Sequence, residues 1–409
     1  MNTAKPSFKK LKEVTESIQY GYTTSASHDS SEPYRLLRIT DIQDNLVNWG
    51  KVPYAEGVSS KEEVGKFFLK NNDIVFARTG ATTGKSYLIE DVPFPAIFAS
   101  YLIRVRPIQN LVTSSYLYFY FQTPMYWAQV EKSKKGAAQA GVNATILGEL
   151  RVPILPINEQ NNIVLVLSKV QKLIEKRKAQ IGTLDQLTQS VFFEMFGDVV
   201  KNPKKWDVVK LNDLYEIIDG DRGKNYPKQS DFFEEGYCLF LNTGNVTKKG
   251  FSFNKKAFIS KDKDEALRKG KLQRNDLVIT TRGTVGNVAF YDENIPYNNV
   301  RINSGMVILR GKRKINPIYF THYFRNPLVY KPLISGTAQP QMPISNFKNA
   351  KVYLPPFEIQ NQFAEIVIQI ESEKQKMEIS LKLLEETFNT LMQRSFKGEL
   401  FTQEKLPNS

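Results

Sequence analysis

Gly136-Ala137-Ala138-Gln139, leading to Leu155-Pro156-Ile157-Asn158-Glu159-Gln160-Asn161, is written a second time as Gly336-Thr337-Ala338-Gln339, leading to Pro355-Pro356-Phe357-Glu358-Ile359-Gln360-Asn361. The offset is 200 residues at both ends, Gly136 to Gly336 and Gln160 to Gln360. A chain that repeats itself after half its length is expected to fold as two similar halves related by a pseudo-twofold axis. Such a protein presents two similar surfaces, so its ligand should be roughly symmetric too. The duplication continues upstream. Leu11, Val14 and Ile18 match Leu211, Leu214 and Ile218 at the same offset. Asp73-Ile74-Val75-Phe76 with Gly80 and Gly84 matches Asp276-Leu277-Val278-Ile279 with Gly283 and Gly286, and residues 116–124 match 319–327, with the offset drifting by two or three. Small compensating loop insertions explain the drift.

With 409 residues the chain is long enough for two to four domains with substantial cores. Hydrophobic residues at 41% and charged residues at 24% fit a soluble globular protein and argue against wholesale disorder. Lys and Arg number 56 against 42 for Asp and Glu, a net charge of +14. An excess of that size points to a polyanionic partner, of which nucleic acid is the commonest. Charge alone does not choose among DNA, RNA and an anionic membrane. Membrane insertion is not expected, because no run of about 18 uncharged apolar residues exists and the start lacks an apolar signal core. The single cysteine, Cys238, excludes an intramolecular disulfide and fits a cytoplasmic location.

Each half divides into a mixed segment and then a helix. No proline interrupts residues 158–202, and apolar residues recur at alternating spacings of four and three: Ile163, Leu167, Val170, Ile174, Ile181, Leu184, Val191 and Met195. The second copy uses the same frame with Phe363, Val367, Ile370, Met377, Leu381, Leu384, Phe388 and Leu391. Only Arg177, Thr188, Lys374 and Ser395 break it. That is a heptad seam, and it predicts helices of about 38 residues, roughly 57 Å long, burying their seams against each other as an antiparallel pair. Gly182 weakens the first helix by about 1 kcal/mol relative to Ala, too little to end it. Before the helices, short runs at 73–76, 101–105, 276–279 and 306–309 between Gly, Asn, Asp and Pro clusters predict strands and turns. Residues 116–121 and 318–324 fit either helix or strand.

Several familiar chemistries are excluded. Gly80-Ala81-Thr82-Thr83-Gly84-Lys85-Ser86 resembles a phosphate-binding P-loop, but it has three residues between its glycines where four are needed. Its second copy, Gly283-Thr284-Val285-Gly286-Asn287, lacks the lysine, so both are expected to be tight strand–turn–strand connections. Leu354-Pro355-Pro356-Phe357 resembles an adenine-methyltransferase signature, but Leu354 cannot accept a hydrogen bond from an adenine amino group. Two histidines, His28 and His322, and one cysteine are too few for a His/Cys zinc site, and no acidic cluster recurs in both halves. No catalytic residue and no metal site are expected.

The order of variable segment, helix, variable segment, helix resembles the DNA-specificity (S) subunit of Type I restriction-modification enzymes. That family's Pro-Leu-x-Glu-Gln entry to each conserved helix is similar to Pro156-Ile157-Asn158-Glu159-Gln160, while Ile359 replaces the Glu before Gln360 in the second copy. Its Phe-x-Gly-Glu-Leu exit is similar to Phe396-Lys397-Gly398-Glu399-Leu400, with a degraded first copy at Ser190 and Phe196-Gly197-Asp198. The resemblance covers nearly the whole chain. It implies a mixed α/β fold in which two similar α/β target-recognition domains are joined by two long helices forming an antiparallel coiled coil, pseudo-twofold symmetric. The expected divisions are 1–152 for the first recognition domain, 153–200 for the central helix, 201–353 for the second domain, and 354–409 for the distal helix and tail.

The resemblance further implies that each domain reads one half of a bipartite double-stranded DNA target, that the helix pair sets the gap, and that two methyltransferase (M) subunits dock on it. A motor-nuclease (R) subunit would be recruited. S-adenosylmethionine, ATP and Mg would reside on those partners, with no cofactor held by this chain. Arg78, Thr79 and Lys85 on the first turn and Arg282, Thr284 and Asn287 on the second are polar, matched in position and different in identity, as expected of two readers of different sequences. Lys134, Lys135 and Gln139 in the first half, with Gln339 and Gln341 in the second, flank the shared Gly-x-x-Gln block and are further candidates for DNA contact. Two other readings fit the same features: a coiled-coil protein-interaction scaffold without DNA specificity, and a metal-dependent nuclease with an unrecognised carboxylate site.

Overall fold

The computed structural model describes residues 5–400 apart from 44, 59, 136–140 and 337–338, with the side chains of 134 and 135 also left undescribed. The described residues form two compact units: one runs up to Lys178 and resumes at Ile379, and the other is Ala179–Glu378. Each unit therefore holds one α/β domain and a half of both long helices. The long helices run Ile157–Phe196 and Phe357–Lys397, while residues 153–154 and 354 belong to the strands just before them.

Both units are built on the same sheet. In the first, Thr15–Tyr20, Leu102–Pro107, Ile74–Ala77 and Ser86–Leu88 lie side by side in that order, all antiparallel. In the second, Tyr215–Asp219, Met306–Gly311, Leu277–Thr280 and Val288–Phe290 repeat the order and the pairing. The runs at 73–76 and 276–279 are thus central hairpin strands closed by the glycine turns. A short strand pair clasps the base of each unit, Ser7–Lys10 with Arg151–Ile154 and Asp207–Lys210 with Lys351–Leu354. The segments that fitted either helix or strand are helical, Ser114–Tyr120 and Pro317–Arg325, because Thr113 Oγ1 and Asn316 Oδ1 cap their first turns.

The long helices start from matched buried contacts. Gln160 and Gln360 are buried; Oε1 of Gln160 accepts the Thr113 N–H at 2.9 Å, and Oε1 of Gln360 accepts the Asn316 N–H at 2.9 Å. Their amides donate to the Leu155 and Pro355 carbonyls, both at 2.8 Å. The ends are matched too, by Gly197 and Gly398, whose positive φ angles of 76° and 77° stop each helix where a side chain would be strained.

Within each unit the helices run antiparallel. In the first, Ile163 and Leu167 share a core with Met392 and Phe396, and further along Lys178 Nζ meets Glu385 at 2.8 Å. In the second, Phe192 and Phe196 pack on Phe363, and Asp185 meets Lys374 at 2.5 Å. The frame inferred from sequence faces inward: Ile163, Leu167, Ile174, Phe363, Val367 and Ile370 are buried, and Val170, Ile181, Leu184, Val191, Met377, Leu381, Leu384, Phe388 and Leu391 partly so. Its polar interruptions are accommodated locally. Thr188 and Ser395 are buried and donate their hydroxyls to the carbonyls of Leu184 and Leu391, at 3.2 and 2.7 Å. Each helix end packs on a tyrosine of the other copy's domain: Phe396 lies 5.0 Å from Tyr116, and Phe196 lies 4.6 Å from Tyr319. Among the described residues, no helix is long and apolar enough to cross a membrane.

Candidate nucleic-acid interface

The glycine turns are tied through their backbone and carry exposed polar side chains. In the first unit, Gly80 and Gly84 have φ of 80° and 90°, and the turn is tied by Gly84 N–H to Ala77 O at 2.9 Å and Ala77 N–H to Lys85 O at 2.9 Å. A Cβ on Gly84 would sit 3.2 Å from Val130 and 3.3 Å from Trp127, so the turn is packed down onto the neighbouring helix. The second turn repeats this with Gly283 and Gly286 at 70° and 91°, and a Cβ on Gly286 would lie 2.5 Å from the Tyr330 ring. Glycine is required at both places.

What the turns offer is side chains. Arg78, Thr79 and Lys85 are exposed, as are Arg282 and Thr284. Arg78 stacks over Tyr20, 4.9 Å from the ring centre. Asn287 is only partly exposed and already donates its amide to the Val246 carbonyl at 2.9 Å, so its other amide groups alone remain for a ligand. The fold also brings the turn to the residues that follow the Gly-x-x-Gln block. Val142 N–H donates to Arg78 O at 3.2 Å, and Met342 N–H donates to Thr281 O at 2.9 Å. In the second unit Arg282 and exposed Gln341 consequently line one cleft with Asp219 and Arg222. Gln339 is exposed at the nearby hairpin, which Ser335 and Gln341 close through paired backbone bonds of 2.8 and 3.0 Å. Gln139 and the side chains of Lys134 and Lys135 lie outside the described residues.

Sequence reasoning missed Tyr20 and Arg222. The signal was a matched pair of glycines, Gly21 and Gly220, where an added Cβ would lie 2.2 Å from the carbonyl oxygens of Ala99 and Asn303. Such close approach pins the segment that carries those side chains.

The acidic residues of the repeat are structural. Asp73 is buried and takes Arg106 side-on, Nε at 2.7 Å and Nη2 at 2.8 Å; Asp276 takes Arg310 the same way, at 3.0 and 2.8 Å. Burial raises the Asp276 pKa, against the opposing pull of Arg310 and the Gln273 N–H. His322 is held neutral, its pKa pushed down to about 3 by burial and by Arg325 and Lys374, and its ring packs edge-on to Phe363 at 5.4 Å. Among the described residues, no group of three or more His, Cys, Asp or Glu is placed to hold a metal ion.

The sequence model of the Type I restriction modification DNA specificity domain matches residues 6–183 and again 203–383. The chain belongs to that family. It is 24% identical to the putative type I restriction enzyme MjaX specificity subunit of Methanocaldococcus jannaschii, over 87% of this chain and 84% of that protein. It is 22% identical to the type I restriction enzyme EcoBI specificity subunit of Escherichia coli, over 71% of this chain and 67% of that one. The fold of this Type I specificity subunit is shared with a chain solved in a study of the assembly and conformational transition of the type I R-M system. That match has a TM-score of 0.61 and 18% identity, covering 97% of this chain and 98% of the other. The S subunit of the Type I system of M. genitalium also shares it, at a TM-score of 0.55 and 15% identity over 97% of both chains.

Proposed function

We propose that this specificity subunit is non-catalytic and reads a bipartite double-stranded DNA target, one half-site per α/β domain. The observation that carries this reading is the duplicated turn: one rigid glycine framework presents Arg78, Thr79 and Lys85 in one unit and Arg282 and Thr284 in the other. Matched scaffolds with unlike polar side chains are what two readers of two sequences require, since base edges are distinguished by donor and acceptor pattern. Asn287, Gln339 and Gln341, and Lys134, Lys135 and Gln139, extend the same surfaces. The helix pair acts as the ruler between half-sites. Recognition elements on one face of B-DNA lie about 34–36 Å apart or a multiple of that, within reach of a 40-residue helix of roughly 60 Å.

Two adenine-methyltransferase (M) subunits dock on the helices. The exposed apolar side chains Leu165 and Leu173 in the first unit, and Leu187 and Phe193 in the second, supply surface for them. The target adenine leaves the stack to enter a partner's pocket, as chemistry on a base demands. S-adenosylmethionine is bound there, and ATP and Mg by a motor-nuclease (R) subunit, in the cytoplasm where the DNA lies. The chain is to be co-expressed with its cognate M subunit, the complex purified, and the adenines it methylates in genomic DNA sequenced. A stable complex and methylation at a gapped two-part motif are expected. Failure to associate, or methylation without a gapped motif, sinks the reading.

A further inference from the structure

Beside the Arg282–Gln341 cleft, and sharing Asp219 and Ile344 with it, the second unit has a larger groove of about 680 Å³. Its lining is rich in cations, and two of them are occupied. Arg310 is bound to Asp276, and Lys271 Nζ meets buried Asp264 at 2.6 Å. Arg268, Lys269 and Lys348 also line it; all three are exposed, and none is in an ion pair with a described residue. Two carboxylates face the same groove, Glu216 and Asp219, and Arg222 covers the latter at 3.2 Å.

The wall that carries Arg268 and Lys269 is fixed from behind. Asp221, buried, accepts the backbone N–H of Gly223 and of Arg268, both at 2.7 Å. Arg301, buried and paired with Asp264, donates to the carbonyls of Lys269 and Asp264 at 2.7 Å and of Leu267 at 3.0 Å. Arg310 donates to Lys271 O at 2.9 Å. Five main-chain groups over 264–271 are therefore tied to buried or ion-paired side chains, which presents the cations with little ordering left to lose on binding.

Among the described residues, the first unit lacks this surface. The registers are fixed because Phe68 O accepts Arg106 as Lys271 O accepts Arg310, and because the strand pairs at each base match at an offset of 200. Gly65, Lys66 and Phe68 stand at the places of Arg268, Lys269 and Lys271, and Gly148 stands at the place of Lys348. Next to Gly148, Glu149 neutralises Lys10 and Lys12, at 2.6 and 2.5 Å. Lys70 stands at the place of Gln273, each donating its backbone N–H to the matched buried aspartate. Two exposed cations outside any ion pair with a described residue, Lys66 and Lys70, therefore stand against three.

We propose that in the second unit the DNA backbone runs from the Arg282–Gln341 cleft into this groove, with Arg268, Lys269 and Lys348 on phosphates. The two halves then hold DNA unequally at this place: the second offers three cations to phosphates and the first two, with no counterpart there to Arg268 or Lys348. This rests on the reading of the chain as a DNA-reading subunit. Arg and Lys side chains suit phosphates, and a contact to a phosphate positions the protein without discriminating bases.

The test uses the full complex with M subunits and a duplex carrying its methylated motif, with binding followed by fluorescence anisotropy across a salt series. Taking one cation away from a phosphate lowers the slope of log affinity against log salt by about 0.9. Arg268→Gln/Lys269→Gln/Lys348→Gln should flatten that slope by about 2 to 3 and weaken binding at least tenfold, with the same adenines methylated. Lys66→Gln/Lys70→Gln in the first unit should change it by less, at most about 2. The replaced side chains are exposed and make none of the bonds that hold the wall, so thermal melting of the triple variant should match the parent. A wild-type slope in the triple variant overturns the groove assignment, as does a changed methylation motif. An effect from Lys66→Gln/Lys70→Gln as large as that of the triple variant overturns the inequality of the halves. A parent complex with no salt-dependent affinity for duplex overturns the DNA reading itself.

Discussion

Gln160 and Gln360 each satisfy a backbone N–H at the start of a packed helix and return an amide to the carbonyl just before their own helix. Alanine at either place leaves a buried donor and acceptors without partners, a loss of about 1–3 kcal/mol per group. Gln160→Ala and Gln360→Ala are expected to lower thermal stability by several degrees each, in the unit that holds the glutamine, with Glu unable to substitute because it cannot donate. Calorimetry or limited proteolysis reports this; melting unchanged from the parent would show the clamp to be dispensable. The sequence displayed these glutamines as one letter of a helix-entry signature but not their task, since the groups they bind are backbone atoms of residues with different names, Thr113 and Asn316. The same signature gave Glu159 equal standing, yet Ile359 occupies its place and packs against the second core. Asp73 and Asp276 were legible as repeated and illegible as buried, because their arginines sit on another strand, 33 and 34 residues away.

At the scale of the element, period decided what could be seen. Both helices followed from a heptad pattern, because it is a local rule applied over 40 residues or more. Partner assignment was less visible, since nothing in a heptad says which half of which helix meets which domain. Lys374 shows what settles register. It is buried in the seam, where burial lowers its pKa, but the bond to Asp185 and the charges of Glu371, Asp185 and Glu378 together outweigh that and the net shift is upward. Asp185 stays half exposed. Removing Asp185 leaves a buried ammonium with only the longer contact to Glu371 at 3.8 Å, whereas removing the lysine lets the acid return to water. Asp185→Ala is therefore expected to destabilise the second unit by about 1–3 kcal/mol, and Lys374→Met to be neutral or stabilising, by denaturant titration of the full chain. Equal losses for both would mean that the pair is an exposed contact of little consequence. A polar residue at one seam position also specifies register, so Lys374→Met should carry a cost in uniqueness of pairing even where stability rises.

For the whole molecule, the consequence of sharing both helices between two units is that length can be altered without touching either core. The boundary between units falls after Lys178 in the first helix and after Glu378 in the second. Gly182 lies just beyond the first of these, exposed, with nothing within 4 Å of an added Cβ. Four residues inserted there add one turn and about 6 Å of helix at 1.5 Å per residue, which on B-DNA at about 3.4 Å per base pair is one or two positions. Four residues in a heptad also locally unwind a coiled coil, so the neighbouring seam shifts phase, but the buried clusters at Ile163 to Leu167 and at Phe192 to Phe196 lie two turns or more away on either side. If the helix pair is the ruler, the complex carrying this insertion methylates adenines in the same two half-sites, separated by one or two more base pairs. Sequencing methylated DNA from cells carrying the altered complex reads the gap and the half-sites together. A parental gap with full activity would show that some element other than the helices sets the spacing. Altered half-sites would show that the reading surfaces are not independent of helix length. Neither outcome is compatible with two readers held at a distance by a rod.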